Sequence, residues 1–138
     1  MTIIAYEEKY RDDMIFMVLE AKNALGRIPR LNEDLLDIKG NYLDHGDMFW
    51  LALDGNDRVI GCIGYHSMEG SDEVRLHRLY VKYSLKRQGI GSELLKTAEN
   101  CLREHVKRQR MFTWEERNIS NPASFIQNMV MRNADHPI

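Results

Sequence analysis

The sequence predicts a single mixed α/β domain, and three observations carry that prediction. Two segments, residues 10–25 and 91–106, repeat apolar residues at helical spacing. Between them, residues 48–81 fall into short apolar runs separated by turn-forming residues. The two patterns interleave along the chain in the order β, α, α, β, β, β, α, β, α. At 138 residues the chain can bury one core without disulfides or a structural metal, so residues 1–138 are expected to form one domain.

Residues 2–6 read as a short strand. Tyr10, Met14, Met17, Val18, Ala21 and Leu25 then share one helical face until Gly26 stops the pattern. Pro29 keeps residues 27–31 out of that helix, and Asn32 is placed to cap a second one carrying Leu35, Leu36, Ile38 and Leu43. After Gly46, residues 48–53 form a strand; Asp54-Gly55-Asn56-Asp57 supplies turn chemistry, and residues 58–66 return as its partner. A second turn at Glu69-Gly70-Ser71-Asp72 leads into a third strand over residues 73–81. From Gly91 a helix runs with Leu94, Leu95, Ala98, Cys101, Leu102 and Val106 on one face, which should cover the sheet. Met111-Phe112-Thr113-Trp114 predicts a further strand, and residues 118–131 read as weakly helical, with Pro122 acceptable near a helix start.

Composition excludes several function classes. With 19 Lys+Arg against 21 Asp+Glu, the formal charge of −2 offers no global attraction to nucleic acid or to an anionic membrane. No stretch reaches the roughly 20 apolar residues of a membrane span, and the N-terminus lacks a basic leader, so a cytoplasmic location is expected. Cys62 and Cys101 are expected to be reduced thiols, and no CxxC or histidine spacing suggests a metal site. The basic group Arg103, His105, Lys107, Arg108 and Arg110 lacks interleaved aromatics and lies at a helix C-terminus, where cations are favourable in any case.

Chemistry concentrates where the third strand of the meander meets the long helix, at Val81-Lys82-Tyr83-Ser84-Leu85-Lys86-Arg87-Gln88-Gly89-Ile90-Gly91-Ser92. A helix N-terminus presents unpaired N–H groups and about half a positive charge, which suits phosphate oxygens. Gly89 and Gly91 lack Cβ, so the backbone can approach a bulky anion or take unusual dihedrals, and Lys86 and Arg87 add charge at the mouth. A tight strand-to-helix turn would also explain the glycines. The dinucleotide fingerprint is absent because Leu94 stands where its third glycine belongs, and the Gly-Lys-Ser/Thr ending of a P-loop is missing.

Lys86-Arg87-Gln88-Gly89-Ile90-Gly91, preceded by Leu79-Tyr80-Val81 and followed by Leu94-Leu95, resembles motif A of the GCN5-related N-acetyltransferases (GNATs), Gln/Arg-x-x-Gly-x-Gly/Ala between the fourth strand and third helix. Lys86 replaces Gln/Arg and keeps the charge. The resemblance spans residues 2 to about 115. It implies a GNAT-type mixed, mainly antiparallel sheet flanked by helices and splayed at strands 4 and 5. It also implies acetyl-CoA as co-substrate, with the amides of Arg87, Gln88, Gly89, Ile90, Gly91 and Ser92 holding the pyrophosphate. The exposed backbone of Leu79 and Val81, around Tyr80, would pair with the pantetheine arm, and one of its N–H groups would polarise the thioester carbonyl.

The resemblance further implies direct acetyl transfer to a primary amine, on a small molecule or a peptide. A lysine-like ammonium is free amine only about one part in 10³ at neutral pH, so a base should help. Strand alternation puts Glu73, Arg75, His77 and Leu79 on one face. The resemblance implies His77 as the base, because serotonin N-acetyltransferase-like members carry a histidine nine residues before the motif, with Glu73 second, close to the glutamate base of histone-type members; a polar sheet residue and a solvated strand end are the competing readings. The family's acid tyrosine is missing from Asn121-Pro122-Ala123-Ser124-Phe125-Ile126-Gln127-Asn128, leaving Tyr80, Tyr83, a water or no acid at all. Arg27 and Arg30 fall in the loop that borders the acceptor in the family, either selecting carboxylate-bearing acceptors or simply solvated. The shortened C-terminus predicts a sheet that ends early, with a homodimer covering the fifth-strand edge. A non-catalytic acyl-CoA-binding module is the alternative function.

Overall fold

Asp54 shapes the turn of the first hairpin through its carboxylate, whose Oδ1 accepts from the N–H groups of Asn56 (2.8 Å) and Arg58 (3.0 Å). The flanking strands, β2 (Met48–Leu53) and β3 (Val59–Ser67), pair antiparallel with Trp50 opposite Ile63 and Leu51 opposite Cys62. The computed structural model describes residues 1–67, 73–106, 114–115 and 130–132. β1 (Thr2–Ala5) adds antiparallel to β2, and β4 (Glu73–Val81) adds antiparallel to β3, completing the expected meander. β2 and β3 are inner strands with both faces covered, which is why their sequences are continuously apolar.

The helices cover the two faces separately. On one side α1 (Arg11–Ala24) and the segment after it bury Met14, Met17, Val18, Leu35, Ile38 and Tyr42 against Phe49, Leu51, Cys62 and Tyr80. On the other, α3 (Ile90–Val106) buries Ile90, Leu94, Ala98 and Leu102 against Trp50, Ile63, Tyr65, Leu76 and Leu79. α3 comes so close to the sheet that a Cβ on Gly61 would lie 2.9 Å from Leu94 Cδ1 and 3.1 Å from Ile90 Cγ2. The fold is thus a mixed α/β structure with an antiparallel sheet flanked by helices.

Two expectations about elements change. The predicted second helix is broken into a 3-10 turn (Glu33–Leu36), the single-turn α2 (Ile38–Asn41) and another 3-10 turn (Leu43–His45). Asn32 makes no cap; its side chain is taken by Lys22 and Tyr80, while Asp37 caps α2 by accepting from Gly40 N–H at 3.0 Å. The C-terminal part differs as well. β5 (Trp114–Glu115) forms, but β6 (Val130–Arg132) inserts between β4 and β5, so the sheet continues past its expected end. Val130 and Met131 are therefore strand rather than helix; residues 111–113 and the rest of the predicted tail helix lie outside the described residues.

Candidate active site

β4 loses its outer partner partway along. β6 pairs with Glu73, Val74 and Arg75 only, and among the described residues no strand pairs with the outer edge of Leu79, Tyr80 and Val81. β4 and β5 do not pair with each other. Around that open end lies a cleft of about 620 Å³ lined by Leu79, Tyr80, Val81, Lys86, Arg87, Gly89, Ile90, Gly91 and Ser92. Of the residues predicted to hold the cofactor, only Gln88 is not part of its wall. Ala21 and Leu25 from the end of α1, with Tyr83 and Leu85, complete it. The α1 contribution escaped sequence reading because Ala21 and Leu25 also fit the helix's core stripe.

The loop into α3 is built on left-handed backbone. Arg87 has φ 68° and Gly89 φ 82°, and the first helical hydrogen bond runs from Glu93 N–H to Gly89 C=O at 3.0 Å. Helix geometry then leaves the first-turn amides of Ile90, Gly91 and Ser92 without intrahelical acceptors, facing the end where the macrodipole is positive. The two glycines differ in cause. Gly89 needs its conformation; Gly91 does not, and a Cβ there would meet Val81 Cγ2 at an ordinary 3.6 Å.

β4 also carries a bulge. Tyr80 pairs with Cys62 and His77 with Gly64, so Arg78 and Leu79 together oppose Ile63 alone. Arg78 takes φ 60°, a conformation bulges of this kind normally give to glycine, at a cost of roughly 1–2 kcal/mol for a residue with a side chain. The bulge reverses the alternation of side chains. Val74 and Leu76 pack toward α3 upstream, Leu79 and Val81 downstream, whereas His77 meets Tyr42 in the opposite layer. The expectation that His77 and Leu79 share a face is therefore corrected, because the extra residue shifts the period.

On the α1 side of β4 the polar groups form a connected chain. Arg78 Nε and Nη2 donate to Asp34 Oδ2 and Oδ1, both at 3.0 Å; the Tyr42 hydroxyl donates to Asp34 Oδ2; and His77 Nε2 lies 3.1 Å from Tyr42 Oη. Burial opposes ionisation of Asp34, but the hydrogen bonds from Arg78 and Tyr42 together hold its carboxyl below the usual range. Burial, then the Arg78 charge and His66, push His77 down to about 4. Burial raises the Tyr42 phenol, with the Asp34 carboxylate adding to it. His66 stacks on Tyr42 at 4.5 Å between ring centroids and bonds through Nδ1 to the buried Asp47 at 2.8 Å.

The other predicted residues spread outward from this chain. Glu73 stands at the far end of β4, roughly 20 Å from Leu79 by strand rise, where its backbone pairs with Arg132. Tyr80 is buried, with its hydroxyl accepting from Asn32 Nδ2 at 3.2 Å, while Tyr83 is half exposed with Lys86 Nζ 5.5 Å from its ring centre. Arg30 is exposed and Arg27 partly buried in the loop after α1. That loop is held by Lys22, a buried residue the sequence did not flag, whose Nζ donates to Arg30 C=O (2.6 Å) and Asn32 Oδ1 (3.0 Å). Residues 121–128 lie outside the described residues. Among the described residues, no cluster could hold a metal ion and no helix is long and apolar enough to cross a membrane.

Comparison with known proteins bears on the fold and on the family. No curated protein matches the sequence. Among solved structures, an acetyltransferase of the GNAT family from Staphylococcus aureus Mu50 superposes with a TM-score of 0.66 at 23% identity, covering 96% of this chain and 98% of that one. An acetyltransferase from Streptococcus agalactiae gives 0.69 at 16% identity over 92% and 80% of the two chains. An aminoglycoside 6'-N-acetyltransferase complexed with coenzyme A gives 0.55 at 19% identity, over 78% of this chain and 56% of that one. At these identities the likeness is one of fold. The family model of the Acetyltransferase (GNAT) family matches residues 8–125, and with the motif loop and open strand end both inside that span, the chain belongs to this family.

Proposed function

We propose that this chain transfers an acetyl group from acetyl-CoA to a primary amine by direct attack within a ternary complex. One observation supports the reading above the rest: the edge of β4 at Leu79 and Val81, which no strand among the described residues pairs with, and the start of α3 border the same cleft. A pantetheine arm needs backbone donors and acceptors along an extended path, and a pyrophosphate needs converging N–H groups. A strand edge and a helix start that meet at one cleft support both needs. The residues also fit the group sterically, since Gly91 has no conformational need to be glycine and its missing Cβ leaves room beside Val81 and Leu79. The solved neighbour holding coenzyme A lends the same support at the level of fold.

In the proposed reaction the acceptor nitrogen bonds to the thioester carbonyl carbon, the C–S bond breaks, and its electron pair leaves on sulfur as the thiolate. An N–H at the β4 bulge stabilises the oxyanion. His77, uncharged at neutral pH, takes the proton that the nitrogen sheds once bond formation has made it acidic. Tyr80, which lines the cleft, is the acid of this reading, with Tyr83 or a water as the alternatives. Arg27 and Arg30 border the acceptor. The test is twofold: calorimetric titration with coenzyme A, and release of free thiol from acetyl-CoA against a panel of primary amines. Binding with amine-dependent release is expected. Binding without release would leave an acyl-CoA-binding module, and no binding would defeat the reading altogether.

A further inference from the structure

Arg78 occupies a left-handed position, φ 60°, that a glycine would fill without strain. The side chain it carries there reaches Asp34 at two points, and its carbonyl accepts from the Cys62 thiol at 3.2 Å. The strain therefore accompanies a specific set of contacts rather than an idle side chain. Those contacts settle a proton further along. Asp34, held as a carboxylate by Arg78, can only accept, so the single hydroxyl proton of Tyr42 goes to Asp34. The Tyr42 oxygen can then only accept from His77, and the 3.1 Å contact requires a proton on Nε2.

We propose that Arg78, Asp34 and Tyr42 are positioning residues for His77: their chain fixes the imidazole as its Nε2–H tautomer, making Nδ1 the atom that takes the acceptor's proton. This rests on the acetyltransferase reading for its function but not for its structure. Nitrogen's proton passes to Nδ1 as the N–C bond forms and the C–S bond breaks, and it leaves to solvent afterwards. Nε2 keeps its own proton throughout. The groups facing His77 are Tyr42 and Asp34 from the segment after α1, His66 from β3 at 5.1 Å between ring centroids, and Arg75 and Arg78 from β4 itself. A merely structural ion pair would fasten the two layers without choosing which imidazole nitrogen is bare.

Nitrogen-15 NMR of the full chain with labelled histidine, at neutral pH and without substrate, reads the tautomer directly. A protonated Nε2 and a bare Nδ1 on His77 are expected, and Tyr42→Phe should convert this to a mixture of tautomers. A His77 carrying its proton on Nδ1, or a tautomer unmoved by Tyr42→Phe, overturns the inference. With an amine found by the thiol assay, Arg78→Gly, which suits the bulge conformation, should lower kcat roughly 10-fold or more while leaving the Kd for coenzyme A within about twofold. Wild-type kcat in both variants also overturns it. Failure of coenzyme A binding in the unmodified protein strikes the acetyltransferase reading instead, and leaves the tautomer result to stand by its own spectrum.

Discussion

Arg78 grips Asp34 through two parallel hydrogen bonds of 3.0 Å from a backbone turned to φ 60°. The pair is partly buried, with side-chain exposures of 27% and 21%, so neither full solvent screening nor a full desolvation penalty applies. Separate substitutions should resolve the two opposing contributions. Arg78→Ala loses the pair and keeps the strained backbone; Arg78→Gly loses the same pair and relieves the strain. Urea unfolding should therefore find the glycine variant more stable than the alanine variant by about 1 kcal/mol. Equal stabilities would mean that the left-handed residue is not costing the fold anything. Asp34→Ala should be the worst of the three, at about 2–3 kcal/mol, because it strands a half-buried guanidinium and the Tyr42 hydroxyl together.

Gly89 and Gly91 separate conformation from clearance. Gly89→Ala forces a side chain into φ 82° and should cost about 1 kcal/mol of stability. Gly91→Ala meets no such barrier, its Cβ sits at ordinary contact distance from Val81, and alanine favours a helix, so stability should hold or rise slightly. Coenzyme A affinity should nonetheless fall about 10-fold or more, as read by calorimetry, because the new methyl stands in the cleft. Undiminished binding by Gly91→Ala would remove clearance as the reason for that glycine.

These contrasts also show how far the sequence was readable. The Asp54 turn, the stop at Gly26 and the strand-loop-helix at residues 81–94 were legible because each depends on residues adjacent in the chain. The facing of His77 was not, since an arginine occupies the bulge position where a glycine would have announced the irregularity. Asn32 looked like a cap by local rule but answers to Lys22 and Tyr80, partners distant in sequence. Tyr42 and Asp34 gave no signal of their own. Their role exists only because the bulge brings Arg78 and His77 to the same layer.

His77 gives the protein a pH-dependent stability with a defined sign. Its ordinary pKa of 6.5 applies in the unfolded chain, and burial with the Arg78 charge lowers it to about 4 in the folded one. Between those values the unfolded state binds the extra proton, so stability is fully present above 6.5 and is lost as pH falls toward 4. The loss attributable to His77 amounts to about 3 kcal/mol across that window. His77→Gln should flatten the chemical-denaturation stability profile between pH 6.5 and 4 relative to the unmodified protein. A profile equally steep in both would place the titration on another group. In turnover, the acid limb belonging to His77 should likewise fall near 4 rather than near 6.5, with the rise above neutrality following the acceptor amine.

Lys22 is the test of what holds the loop after α1. Lys22 is 7% exposed, and among the described residues its ammonium has no carboxylate within ion-pair distance, only the Arg30 carbonyl and the Asn32 amide oxygen, with the Tyr80 ring 5.8 Å away. Burial, followed by the charges of Arg78 and Arg27, lowers its proton affinity, so the lysine sits there against electrostatic resistance. What it supplies is two charge-assisted hydrogen bonds that tie residues 30 and 32 to α1 and, through Asn32, to the Tyr80 hydroxyl. Lys22→Met keeps the aliphatic stem and drops both bonds. It should cost about 1–2 kcal/mol globally, and hydrogen exchange should quicken selectively over residues 26–32 while α3 stays protected. Under the proposed role of Arg27 and Arg30 beside the acceptor, KM for an amine acceptor should rise with the Kd for coenzyme A unchanged. Uniform loosening of the whole fold, or unaltered exchange in the loop, would show that Lys22 is packing rather than a tether.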